Sequence, residues 1–138
     1  MVRNEAAIAL VKINSQQSVE SVIELLKSEN NAAREEAAWI LGEMKSEQTV
    51  DSLILLLDDK ESGWMAAMAL GQIGSEKAVK PLLRLLEEKD IQKRRAAAWA
   101  FEKIPFKKTV KALRKALKDE DEEVRLWAKF ALENFTTK

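Results

Sequence analysis

Apolar residues recur along the chain at helical spacing, and the whole pattern then repeats. Val2, Ala6, Ala9, Leu10 and Ile13 form one stripe of a helix, and Val19, Val22, Leu25 and Leu26 form the stripe of a second, leucine-rich one. Neither shows strand alternation. One column runs Leu10, Leu41, Leu70, Phe101 and Leu132, with spacings of 31, 29, 31 and 31 residues. Ala6, Ala37, Ala66, Ala97 and Ala128 keep the same spacing, as do Ile13, Met44, Ile73, Ile104 and Phe135. Val19, Val50, Val79 and Val110 mark the second helix. The lone 29 reflects two residues missing from the link between Asp58 and Trp64. Repetition at this period predicts an all-α solenoid. Its two-helix units run over about 1–30, 31–60, 61–90 and 91–120, and an unpaired final helix over 121–135, about nine helices in a single domain.

Helix ends carry their own signals. Ser18, Thr49 and Thr109 each precede a valine where an N-cap is expected, and Asp90 and Asp121 suit the same role before alanine-rich helices. Pro81 falls in a first turn, where no intrahelical bond is lost. Gly74 and Asn14 suit a left-handed stop, whereas Pro105 at the equivalent place requires another turn.

The stretch GWMAAMALGQIGSEKAVKPLLRLL, residues 63–86, resembles the HEAT-like repeat named after phycobilisome (PBS) lyases. Its pattern is roughly V-R-x-x-A-A-x-A-L-G-x-I-G-x-x-x-A-V-x-P-L-x-x-L-L, and the resemblance covers essentially the whole chain. It implies a right-handed α-solenoid with the alanine-rich helices lining the concave side. It also implies that Arg34, Arg94 and Arg125 brace neighbouring repeats through acidic groups in the links. Gly63 departs from this arginine column. Val11, Glu102 and Glu133 stand in place of the packing glycine kept as Gly42 and Gly71, and Lys129 enters a column of alanines.

Within an alanine-rich helix the core stripe lies within about 40° of the Ala6 column, and residue 8 lies about 200° away. That far column reads Ile8, Trp39, Met68, Trp99 and Phe130, all large and apolar. Flanking columns add Trp64, Arg95 and Leu126 on one side, and Glu36, Met65 and Trp127 with Glu43 and Lys103 on the other. An aromatic and methionine-rich seam with a charged border is the composition of a binding hot spot. The same stripe can also arise by packing within the chain, or serve self-association.

Composition closes several chemistries. The 138 residues include no cysteine, histidine or tyrosine, so thiol catalysis and the commonest general base are absent. Hydroxylases of similar fold hold iron with His-Glu pairs, a site this chain cannot build. The carboxylates at Glu35-Glu36 and Glu120 to Glu123 are expected to be solvated link charges, not a catalytic pair. A linear tetrapyrrole can stack on Trp39 and Trp99, but nothing in the sequence supplies specificity. No apolar run reaches membrane-spanning length and no signal-peptide pattern opens the chain, so a cytoplasmic protein is expected.

Charge is balanced overall but uneven. Residues 1–69 carry 6 basic and 12 acidic side chains, a net of −6, and residues 70–138 carry 17 and 11, a net of +6. The basic fourth repeat, with Lys93, Arg94, Arg95, Lys103 and Lys111 among others, raises a nucleic-acid or acidic-partner alternative. That alternative is weakened because Lys111, Arg114, Lys115 and Lys118 fall on the outer helix and DEDEE follows at 119–123. Opposite halves, with no evident polar cap at either end, also suit head-to-tail association. The reading from sequence is a non-enzymatic protein-binding scaffold without cofactor or metal. Its expected apolar contacts are Trp39, Trp64, Met65, Met68, Trp99, Trp127 and Phe130, with Glu36, Glu43, Arg95 and Lys103 setting the charge around them.

Overall fold

The computed structural model describes residues 16–45 and 47–135. The first alanine-rich helix predicted from sequence, with Ile8 and Asn14, lies outside these residues. Among the described residues the chain forms eight α-helices and no strand. They are α1 (Gln16–Leu25), α2 (Asn31–Met44), α3 (Val50–Leu56), α4 (Gly63–Ile73), α5 (Val79–Leu85), α6 (Ile91–Lys103), α7 (Val110–Ala116) and α8 (Glu122–Glu133). Short 3-10 turns at Glu47–Thr49, Glu76–Ala78 and Lys107–Thr109 open α3, α5 and α7.

Two layers result. The alanine-rich helices α2, α4, α6 and α8 pack side by side in order, and each leucine-rich helix lies against the alanine-rich helix that follows it. Alanine makes the first layer close. Ala37, Ala66, Ala97 and Ala128 are fully buried, as are Ala38, Ala67, Ala98 and Ala100. A Cβ added at Gly71 would stand 2.9 Å from the Cα of Ala100, and one at Gly42 3.0 Å from the Cα of Ala69. The motif glycines therefore let α2 approach α4 and α4 approach α6. Leucines and valines of the second layer, including Leu53, Leu82 and Leu113, close the core from the other side.

Helix starts partly follow the sequence expectation. Asn30, Asp90 and Asp121 cap α2, α6 and α8, each accepting from backbone N–H groups of the first turn. Thr49 and Thr109 do not cap through their side chains. They end the 3-10 turns with helical backbone angles and are fully buried, and the Thr109 hydroxyl donates to the Phe106 carbonyl at 2.7 Å. Ser18 lies inside α1, which begins at Gln16. The 3-10 turn supplies the entry that the sequence assigned to a cap. Gly74 ends α4 in the left-handed region (φ 76°), and Lys45 ends α2 the same way (φ 54°). Ile104, held extended before Pro105, ends α6 without it (φ −121°).

The shortened link explains Gly63. A Cβ there would stand 2.4 Å from the Leu57 carbonyl and 2.8 Å from the Lys93 stem. Losing two residues draws the start of α4 onto the end of the preceding turn, where only glycine fits. The buried stem of Lys93 from the next repeat packs beside Gly63, where a side chain would stand.

The last helix presents a polar outer position. Lys129 is exposed in a column whose other described members, Ala38, Ala67 and Ala98, are fully buried. A helix stacked on α8 in the same register would bury the Lys129 ammonium.

Candidate functional site

Arg34 and Arg94 brace neighbouring repeats through acidic groups, as the resemblance implied, whereas Arg125 bonds a backbone carbonyl of its own link. Arg94, whose side chain is 8% exposed, donates to the Glu88 and Lys89 carbonyls at 2.7 and 3.0 Å and to Asp119 at 2.9 Å. Arg34 donates to the Ser28 carbonyl at 2.7 Å and to Ser62 Oγ at 3.2 Å, with Glu61 at 3.4 Å. Ser62 Oγ in turn donates to Asn31 Oδ1 at 2.6 Å. Arg125, exposed on the final helix, donates to the Asp119 carbonyl at 2.7 Å. Each guanidinium closes its own preceding link, and Arg34 and Arg94 also clasp the next.

On the opposite face of the alanine-rich layer, α4, α6 and α8 enclose an open cleft of about 330 Å³. Trp64 and Met68 come from α4, Gln92, Arg95, Ala96 and Trp99 from α6, and Glu123 and Trp127 from α8. Its shape is written in one column. Met65, Ala96 and Trp127 occupy equivalent positions, and the small Ala96 of α6 leaves room between Met68 of α4 and Trp127 of α8. Trp64, Trp99 and Trp127 are half-buried, with part of each packed against the core. Trp99 also lies under an ammonium, since Lys103 Nζ sits 5.4 Å from its ring centroid.

Of the residues singled out from sequence, five line this cleft: Trp64, Met68, Arg95, Trp99 and Trp127. Phe130, 37% exposed, meets Trp127 edge to face with centroids 5.6 Å apart and lies beside the cleft. Trp39 and Met65 pack half-buried against the core outside it. Glu43 accepts from Gln72 Nε2 at 3.0 Å on the α2–α4 face, and Glu36 is partly buried on α2. Gln92, Ala96 and Glu123 were missed. The first and last lie one turn before the seam columns, and an alanine carries no signal of a gap.

Arg95 is held by Asp121 through two hydrogen bonds, Nε to Oδ2 at 2.9 Å and Nη2 to Oδ1 at 2.8 Å. The Arg95 hydrogen bond holds the Asp121 carboxyl down at about 2, with help from the Val124 backbone N–H and the guanidinium charge and against the effect of burial. The same contact raises the Arg95 pKa above its ordinary value. Asp119 and Asp121, with side chains 14% and 10% exposed, are therefore structural anchors, Asp121 in the capping role expected of it although it lies within the 120–123 run expected to be solvated. Among the described residues no group of three carboxylates is placed to hold a metal ion, and no helix is long and apolar enough to cross a membrane.

Comparison with known proteins agrees with the architecture. The chain is similar to an engineered protein solved by a structural genomics consortium, with 26% identity over 96% of this chain and 72% of that one (TM-score 0.62). It is also similar in fold to a designed armadillo repeat protein solved with a (KR)4 peptide, with 22% identity over 95% of this chain and 74% of that one (TM-score 0.63). Among curated proteins none matches it. The PBS lyase HEAT-like repeat matches residues 64–88, and the profile of HEAT repeats matches residues 1–64 and 85–138. The chain belongs to the HEAT-repeat family.

Proposed function

We propose that residues 1–138 form one repeat domain acting as a non-enzymatic protein-binding scaffold, with its partner seated on the alanine-rich face at the tryptophan cleft. The observation that carries this is the convergence of Trp64, Trp99 and Trp127, from three successive alanine-rich helices, on one open space. Half-buried tryptophans have fixed ring positions and still offer area to a partner, which suits a hot spot. A repeat solenoid is a fold typical of protein-interaction scaffolds, and the armadillo neighbour was solved with a peptide. The nucleic-acid alternative loses some support. Lys103, Arg94, Arg95 and Lys115 lie within 3.5 Å of Glu102, Asp119, Asp121 and Glu87 respectively, so four of the ten basic side chains at 93–118 have acidic partners within the chain.

The test uses the immobilised full chain beside two variants, Trp64→Glu/Trp99→Glu in the cleft and Leu55→Glu on the outer layer. The expected result is a protein retained by the wild type and by Leu55→Glu, and lost by the double variant at unchanged helicity. Retention by the double variant refutes the cleft.

A further inference from the structure

We propose that the cleft takes an arginine side chain of the partner polypeptide, its guanidinium among the indoles of Trp64, Trp99 and Trp127 and its charge met by Glu123. This rests on the cleft being the docking site and adds the chemistry of what enters it. Three indoles line the space, and the one ring contact any of them makes is between Trp127 and Phe130, among the described residues. The three indoles therefore line the space without stacking on one another. Indole faces attract cations, and Trp99 already lies under the Lys103 ammonium from outside the lining.

The charges at the rim decide the sign of the ligand. Arg95 spends Nε and Nη2 on Asp121, so its positive charge is compensated within the chain. Glu123 is exposed at the cleft, where its charge acts on Arg95 from a distance, and its carboxylate makes no hydrogen bond or ion pair among the described residues. Arg95, Asp121 and Glu123, with the Lys103–Glu102 pair beside Trp99, together leave a net charge of −1. An acidic ligand meets repulsion there, and a wholly apolar one strands the Glu123 charge beneath it. A planar guanidinium stacks on indole and forks onto a carboxylate, which an ammonium does less well, and its alkyl stem fits against Met68 and Ala96.

Four tripeptide amides test this, acetyl-Ala-X-Ala with arginine, citrulline, norleucine or glutamate at X, titrated against the 15N-labelled chain. Trp39 lies outside the lining and serves as an internal reference among the four indole N–H signals. The arginine peptide is expected to shift the signals of Trp64, Trp99 and Trp127 and to leave Trp39 in place. Citrulline, of the same shape without charge, is expected to bind about fivefold more weakly, and Glu123→Gln to narrow that difference to the part the indoles supply. Norleucine or citrulline binding as tightly at the same three signals overturns the cation and leaves the docking cleft standing. Preference for the glutamate peptide overturns the assignment of charge. No shift with any peptide, or a shift of Trp39 alone, overturns the inference and removes the support for the cleft.

Discussion

Arg95 and Asp121 stand 26 residues apart, and one oxygen of the aspartate serves two helices. Oδ2 accepts from Arg95 Nε on α6 at 2.9 Å and from the Val124 backbone N–H at the start of α8 at 3.0 Å. The cap of the last helix and the wall of the cleft are therefore one contact. Two residues away, Asp119 Oδ1 accepts from the Asp121 N–H at 2.8 Å while its other oxygen takes Arg94 Nε. The acidic link is clipped to α6 by two adjacent arginines, one turned to each side of the layer.

This arrangement makes stability depend on acid. The Asp121 carboxyl titrates at about 2 in the folded chain and near 3.9 when unfolded, so its contribution is complete above about pH 4 and is lost as pH falls toward 2. Asn caps a helix about as well as Asp, so Asp121→Asn removes the charge and keeps the cap. Urea melts are expected to show the variant less stable by about 1 kcal/mol at pH 7, with the gap closing between about pH 4 and 2. Some acid sensitivity remains in the variant. Burial pushes the Asp59 carboxyl up, but the Ser62 and Glu61 backbone N–H groups and Arg34 outweigh it and hold it below its ordinary value. A gap that stays constant with pH would show that the charge contributes nothing.

The repeat itself was legible because its signals are local and periodic. A column of alanines opposite a column of leucines can be satisfied only by stacked helices, and Gly42 and Gly71 mark the closest approaches. The seam of tryptophans was legible for the same reason, since helical angle alone separates Trp99 from Ala97. Which seam residues share a space was not legible. That depends on Ala96 leaving a gap between Met68 of one helix and Trp127 of another, a property of three packed helices at once. Nor did the threonines before α3 and α7 reveal themselves, because a cap and a 3-10 turn use the same residues with different backbone angles.

The arginines at one column should differ in cost according to burial. Arg94→Ala leaves the Glu88 and Lys89 carbonyls without their donor and the mostly buried Asp119 without its cation, and is expected to lower stability by about 3 kcal/mol. Arg125→Ala removes a single bond at an exposed site and should cost under about 1 kcal/mol. Thermal or urea unfolding of the two variants compares them directly. Equal losses would mean that the clasp between repeats is not what Arg94 supplies.

Two substitutions of opposite sign probe the helix layer. Lys45 holds a left-handed conformation that costs a side-chain residue about 1 kcal/mol, so Lys45→Gly is expected to raise stability by about 0.5–1 kcal/mol. Gly71→Ala inserts a methyl 2.9 Å from the Ala100 Cα, where backbone and not a flexible side chain must move, and should lower stability by about 1–3 kcal/mol. Unfolding midpoints read both. A neutral Gly71→Ala would mean that α4 and α6 separate without loss.

Lys129 gives the last test, of what keeps one solenoid from stacking on another. Its column equivalents Ala38, Ala67 and Ala98 are each covered by the next alanine-rich helix, whereas Lys129 is exposed beside the partly exposed Leu126 and Phe130. Seating another helix there would desolvate an ammonium with no carboxylate in the column to meet it. Lys129→Ala restores the interior pattern and joins Leu126 and Phe130 into an apolar strip on the outer side. The expected outcome is a monomer in the parent and a concentration-dependent increase in mass in the variant, measured by light scattering after size exclusion. The ionic-strength dependence separates two causes. Association through the uncovered strip persists in high salt, because it is driven by apolar burial, whereas pairing of the acidic and basic halves weakens as salt is added. A variant that stays monomeric at every concentration would remove Lys129 as the cap.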